Sequence, residues 1–415
     1  MPATQTPEKE PAYRWVIVTA SAVMLAVSMG MMVNGTSVFL IPLNEAFGWQ
    51  RGAVSLINFY GLLGLAFGGI AMGRIADWAS VRHITLFGAT VLGLCILGAS
   101  RATELWQFYV LFFLGGFFGA ASLFTPLITN VGVWFKRGVG VAIGIASAGQ
   151  ALGQGLVPYA LAILIGLLGW QGALATMGGV TLLVLIPLAL LIRKPTEQEQ
   201  PKALANNSTQ DQTTVPLSPT MVTIWMSAAV LFCCFCMSIP LMHLLPLIQD
   251  RGFSLEEAGS VVFVMLLVAI VGRIAFGKLA DMVGAVRAYW IASCWQTVLI
   301  YFFLQMDTLT GFYIFAMIYG FGYAGVMTTL LVSVRVMVPL SRRASALGFV
   351  MMFAYLGHAI GGYQGGFFFD ITGNYTLSYT NAVIAGVINL IIVGSLYITI
   401  NRRRVALSDT AALAT

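Results

Sequence analysis

Charged side chains are scarce in this sequence, at 9% of 415 residues, where soluble domains carry roughly 25%. So few ionisable groups could not coat a water-exposed surface, which excludes an ordinary soluble domain. Cysteines are few as well. Cys95, Cys233, Cys234, Cys236 and Cys294 all sit in apolar stretches, and the CCFC run has CxxC spacing without a second ligand pair. Buried free thiols are therefore expected, not a disulfide framework or a metal site. The chain contains no GxxxxGK[ST], HExxH or GxSxG, so it has no visible means of hydrolysing ATP, a peptide or an ester. No enzyme activity, cofactor or metal is expected. The N-terminal MPATQTPEKEPAYR contains acids and lacks the basic flank and cleavage site of a secretory signal, so it is expected to stay cytoplasmic.

What the chain has in abundance is hydrophobic residues, 59% of the total, with a mean hydropathy of +0.89. Apolar runs able to cross a hydrocarbon core of about 30 Å recur twelve times. They fall near 15–42, 53–72, 84–100, 107–133, 139–166, 171–192, 220–248, 257–277, 287–305, 309–338, 344–369 and 376–400. From an inside start, the loops expected on the cytoplasmic side collect Lys9, Arg14, Arg74, Arg82, Lys136, Arg137, Arg193, Lys194, Lys202, Lys278, Arg287, Arg342, Arg343 and Arg402 to Arg404. The loops on the other side hold Arg51, Arg101 and Arg251. This asymmetry follows the positive-inside rule. The net charge of +6 is thus explained by topology and by basic loops facing anionic lipid, with no nucleic-acid role.

The stretch from Arg193 to Pro219, rich in Pro, Gln, Asn, Ser and Thr, is too polar to pack and reads as a linker. It divides the chain into a cytoplasmic tail (1–14), a six-helix bundle (15–192), the cytoplasmic linker (193–219), a second six-helix bundle (220–400) and a cytoplasmic tail (401–415). The bundles share sequence. GRIAD at 73–77 recurs as GKLAD at 277–281, and the same shift of 204 residues pairs Gly144 with Gly348 and Gly153 with Gly357. Internal duplication of this kind is a transporter signature. Each copy sets a Gly and an Asp one turn apart at a helix end, followed by a cation: Gly73, Asp77 and Arg82, then Gly277, Asp281 and Arg287. The carboxylate can meet a helix N-terminus or an Arg across the inner face, a contact able to lock one state of an inner gate.

GRIADWASVRH and GKLADMVGAVR resemble the inner-loop motif of the major facilitator superfamily, whose frame covers essentially the whole chain; Trp78 and Ser80 depart from the usual basic residue and Gly. The resemblance implies an all-α membrane protein with the major facilitator fold: twelve transmembrane helices in two pseudo-symmetric six-helix bundles, both termini cytoplasmic. VWFKRGVGVAIGIASAGQALGQGLVP (133–158) and VFLIPLNEAFGWQRGAVS (38–55) are similar to the monocarboxylate porter and oxalate:formate antiporter branch. That likeness, with the compactness of the chain, implies a bacterial inner (plasma) membrane location.

No acidic residue falls deep in a predicted span, whereas Arg273 interrupts the apolar run VVFVMLLVAIVGRIAFGKLAD (261–281). An arginine in hydrocarbon costs at least ~2.5–3.5 kcal/mol and usually faces a bundle interior or watery cavity. Snorkelling toward Lys278, five residues on, is the alternative. Side chains tilt toward a helix N-terminus, however, which for this span points Arg273 toward the bilayer centre. Its planar fork can hold a carboxylate through two charge-assisted hydrogen bonds, and an Arg in this context binds carboxylate in the resembling families. Monocarboxylate porters commonly have an Asp where Ala269 stands and a Lys where Asn34 stands, which puts proton symport by their route in question. His358 stands where oxalate:formate antiporters have a Lys, which disfavours a dicarboxylate.

Other candidates for the substrate site are His358 and Gln154, related by the 204-residue shift, with Asn34, Asn58 and Tyr60; packing His, interhelical amides and mutual satisfaction are the competing readings. His243, between Pro240 and Pro246, is a candidate for proton entry or an outer gate, as His358 is for proton coupling. The expected function is secondary transport of a small organic monocarboxylate, probed best as lactate-like, pyruvate-like, aliphatic or aromatic acids. Expected coupling is proton symport, with protons and membrane lipid as further partners and a monomer as the working unit. A carboxylate exchanger, a drug or metabolite exporter, and a non-transporting receptor are the rivals.

Overall fold

The structure is a computed structural model and describes residues 12–135, 139–195 and 216–413. Residues 1–11, 196–215 and 414–415 of the expected tails and linker lie outside the described residues, as does the Asp77 side chain. The described residues form helices and no strands, and ten segments are long and apolar enough to cross a membrane.

In chain order the helices are α1 (Tyr13–Phe47), α2 (Arg51–Trp78), α3 (Val81–Ala99), α4 (Leu105–Val133) and α5 (Val139–Leu191). After the linker come α6 (Pro219–Asp250), α7 (Leu255–Val283), α8 (Ala285–Leu299), α9 (Leu309–Met337), α10 (Leu340–Thr372) and α11 (Thr376–Leu413). α5 breaks at Gly169 (φ 69°, ψ 172°) into limbs matching two expected spans. A short 3₁₀ turn, Ile300–Gln305, prolongs α8. α11 continues as one rod through the residues assigned to the last tail.

Local chemistry sets these ends. Ser254 and Glu257 form a reciprocal capping box at the start of α7, and Glu104 and Gln107 do so at α4. The Thr308 hydroxyl accepts the Gly311 N–H at α9, and Ser218 accepts from Met221 ahead of Pro219 at α6. Gly48 and Gly373 stop α1 and α10 in the left-handed conformation, with φ of 72° and 69°.

α1 is not the uniform helix its apolar run suggests. Gly30–Asn34 forms a π turn and Gly35–Phe39 a 3₁₀ turn. Asn58 of α2 explains where the freed backbone groups go: its Nδ2 donates to Met32 O (3.3 Å), Val33 O (3.0 Å) and Thr36 Oγ1 (2.8 Å).

The duplicated sequence produces duplicated packing. A side chain at Gly68 would strike the Phe117 carbonyl, and one at Gly272 the Phe321 carbonyl; Gly116 lies against Gly61 O, and Gly320 against Met265 O. Each contact recurs 204 residues later, so α2 meets α4 as α7 meets α9. Gly153 on Ala26 (α5 on α1) and Gly357 on Leu231 (α10 on α6) repeat the same theme. Backbone-to-backbone approach of this kind needs glycine, because apolar lipid supplies no hydrophobic drive between helices.

Candidate functional site

The helices before the linker meet those after it along two seams, α2 on α10 and α5 on α7. Both seams close at the end carrying Arg51. Gly362 and Gly366 of α10 lie against Asn58, Ser55 and Arg51 of α2, while Gly155 and Gly166 of α5 lie against Leu266 and Glu256 of α7. Gly144 shares the α7-facing stripe of α5, eleven residues or three turns from Gly155. Gly348 shares the α2-facing stripe of α10, five turns from Gly366. Neither has any atom within 4 Å of where a side chain would start. The seams therefore part toward the linker end.

At the closed end, Arg51 binds Asp250 of α6 through two parallel bonds of 2.6 Å and donates to the Tyr375 hydroxyl at 3.0 Å. Its guanidinium lies 3.9 Å from the Phe369 ring. Burial pushes the Tyr375 hydroxyl well above the ordinary tyrosine range, so it stays protonated. The first N–H groups of α2 have no side-chain cap from Gln50. Asp370 of α10 supplies one from the other half, accepting from Arg51 N (2.9 Å) and Gly52 N (2.6 Å). A second surface pair, Arg251 with Asp307, stays within the later half.

Below this cluster, His243 is fully buried. Its Nε2 lies 2.6 Å from the Gly362 carbonyl, a distance that requires the ring proton on Nε2, and its Nδ1 has no partner. The ring sits 5.3 Å from that of Tyr375. Thr36 of α1 donates to the Met242 sulfur at 3.8 Å. The Asn34 amide donates to the Gln154 carbonyl at 3.1 Å, so these two candidates do meet, through backbone on one side. The Asn34 and Asn58 side-chain oxygens remain unpartnered. The Tyr60 ring lies 4.9 Å from that of Tyr109 of α4.

Arg273 of α7 and Tyr323 of α9 lie within electrostatic range of each other. Arg273 Nε is buried without a hydrogen-bond partner, and among the described residues no carboxylate pairs with Arg273. Cys234 of α6 lies within electrostatic range of both Tyr323 and Tyr355 of α10. The Tyr355 ring meets Phe124 of α4, across the two halves, at 6.5 Å. His358 stands one turn from Tyr355 on the same face of α10, and its Nε2, like the Tyr355 hydroxyl, is buried and unpartnered. Arg273, Tyr355 and His358 thus offer unfilled hydrogen-bonding capacity at mid-length of their helices.

The duplicated loop motifs sit at the linker end. Gly73 lies 3.4 Å from Thr125 and Gly277 3.7 Å from Thr328, measured from an added side chain, both within their own half. Arg82 Nε donates to Ile192 O (3.1 Å), and Arg287 Nε to the Tyr397 hydroxyl (2.6 Å). Each cation therefore staples its half's last helix. Asp281 is exposed, and among the described residues it makes no ion pair.

Sequence reasoning missed Asp250, Asp370 and Tyr375. Their partners lie 199, 319 and 324 residues from them in the chain, and the available signal was only that acids flank helix ends on the Arg51 side.

The model of the Major Facilitator Superfamily matches residues 21–294 and 224–412. Monocarboxylate transporter 13 of Rattus norvegicus is 26% identical over 389 residues, covering 92% of this chain and 88% of the relative. An MFS-type transporter of Ophiocordyceps sp. is 25% identical over 291 residues, covering 69% and 64%. Among solved structures, a bacterial homolog of the human lysosomal transporter Spinster, in an inward-facing and unoccupied conformation, superposes with a TM-score of 0.72 at 15% identity, over 95% of this chain and 98% of that one.

Proposed function

The chain belongs to the Major Facilitator Superfamily, and on that premise we propose that it carries a small organic monocarboxylate across the inner membrane by alternating access. Its relatives are transporters, not enzymes. The observation that carries the substrate reading is Arg273: it is a permanent cation with a buried, unpartnered Nε and no carboxylate neighbour among the described residues, in an arrangement where Arg51 and Arg251 are both paired. A substrate carboxylate would supply the missing acceptors, and charge cancellation would lower the cost of closing apolar helix ends around it. Tyr355 and His358, one turn apart, would donate to or accept from the remaining polar atoms, with Asn34, Gln154 and Asn58 as the candidates from the first half.

Counting the α5 limbs separately and α8 with its 3₁₀ turn as a crossing gives twelve spans in two bundles, 15–192 and 220–400. Positive-inside charge places the linker end and both termini in the cytoplasm. The parted seams then describe a carrier open to the cytoplasm and shut outside. In this state the motif glycines Gly73 and Gly277 meet only Thr125 and Thr328 of their own halves, which supports an inner gate in its open position. Proton symport is the preferred coupling, with His358 or His243 as the titrating group and a monomer as the working unit.

Uptake of labelled lactate, pyruvate, aliphatic and aromatic acids into proteoliposomes, with and without a pH gradient, tests substrate and coupling together. Transport of at least one such acid is expected. If a panel of neutral and cationic compounds is exported while no carboxylate moves, the carrier is an exporter of the same superfamily.

A further inference from the structure

The two seams that close the Arg51 end are related by the internal repeat and both hold ring contacts, Phe59 with Tyr363 at 6.3 Å and Tyr159 with Phe263 at 5.5 Å, yet their charged groups differ. Residues 51 and 52 of α2 correspond by the 204-residue shift to Leu255 and Glu256 of α7, and position 370 of α10 corresponds to Gly166 of α5. On the α2–α10 side the Asp370 carboxylate of α10 is seated on two backbone N–H groups of α2, and Arg51 of α2 makes a bidentate ion pair with Asp250 of α6 beside it. On the α5–α7 side the corresponding positions hold a glycine against the Glu256 carboxylate, followed by apolar contact: the Tyr159 and Phe263 rings stack at 5.5 Å, and Gly155 and Gly259 let the helix backbones close on Leu266 and Ala162. Among the described residues no ion pair crosses this second seam.

We infer that the outer entrance opens asymmetrically, with the α2–α10 seam acting as an ion-latched door and the α5–α7 seam as an apolar hinge that stays packed. Separating the two seams exposes different groups to water. Arg51, Asp250 and Asp370 stand at the aqueous end, where water can replace each of their bonds as the door parts. The stacked rings and Leu266 have no such replacement, and exposing them forfeits burial in proportion to area.

The test measures both seams in one molecule. Spin-label pairs at Gln50 and Ile371 report the door, and pairs at Leu167 and Leu255 report the hinge, in chains whose native cysteines are replaced by alanine. Asp370→Asn combined with Arg51→Gln should add a longer-distance population at the door, shifted by at least about 5 Å, roughly one helical turn. The hinge distance should be unchanged. The otherwise unmodified labelled chain in about 1 M salt, where screening falls to about 3 Å, should shift the door in the same direction and so answers even if the double variant fails to fold. Equal lengthening at both seams would overturn the inference in favour of symmetric rocking. Lengthening at the hinge alone, or no change at either seam, would overturn it as well.

Discussion

Gly155 and Gly366 each lie against a helix of the opposite half, whereas Gly144 and Gly348, on the same faces of the same two helices, meet nothing. One glycine pattern therefore serves two ends in opposite states. The difference lies in what accompanies the glycines. At the Arg51 end, bonds between side chains and between side chain and backbone cross the seam; at the linker end the cations of the duplicated motif turn inward to their own last helices. Glycine makes close approach possible, and at the Arg51 end polar contacts on the α2–α10 side and apolar packing on the α5–α7 side hold the halves together.

The largest effect is expected between the two ends. Arg273→Lys should raise the half-saturating carboxylate concentration about 10- to 100-fold by replacing a planar fork with a point charge, measured by proteoliposome uptake with folding checked by size-exclusion elution. Retained uptake would return Arg273 to a structural role. Next, Gly155→Leu and Gly153→Leu should each cost about 1–3 kcal/mol by overpacking against Leu266 and the Ala26 backbone, read as a lowered Tm in detergent. The same change at Gly144 or Gly348 should leave Tm unmoved and yet slow transport, because those positions must be reoccupied when the linker end closes. A fall in Tm at Gly144 would show that the two ends do not differ as described.

A smaller change is expected from Asn58→Leu, about 1–2 kcal/mol, since three acceptors on α1 lose their donor. The smallest comes from a charge-swap cycle of Arg51→Asp and Asp250→Arg. With side chains 12% and 30% exposed, a coupling of about 1 kcal/mol is expected, seen as partial recovery of outer-gate closure in the double variant.

Much of the frame was legible in the chain. Apolar runs of spanning length located the helices, and the repeat at 204 residues, read from GRIAD and GKLAD, has its counterpart in contacts such as Gly68 on Phe117 and Gly272 on Phe321. Arg273 stood out because a permanent charge in an apolar run has few bland explanations. The break at Gly169 falls in the gap expected between the spans 139–166 and 171–192, whereas the π turn at Gly30–Asn34 was not legible, because it depends on Asn58, which lies on another helix. The Arg51 cluster was invisible for a related reason, since every partner comes from the other half.

Asp370 grips α2 through main-chain N–H groups, which every residue except proline presents. A lineage could therefore lose Arg51 to almost any substitution and still retain this contact, while Gly52, with the carboxylate and the α10 backbone directly over it, could hardly vary. Descendants of such a carrier would diverge fastest where the latch uses a side chain and slowest where it uses the peptide itself.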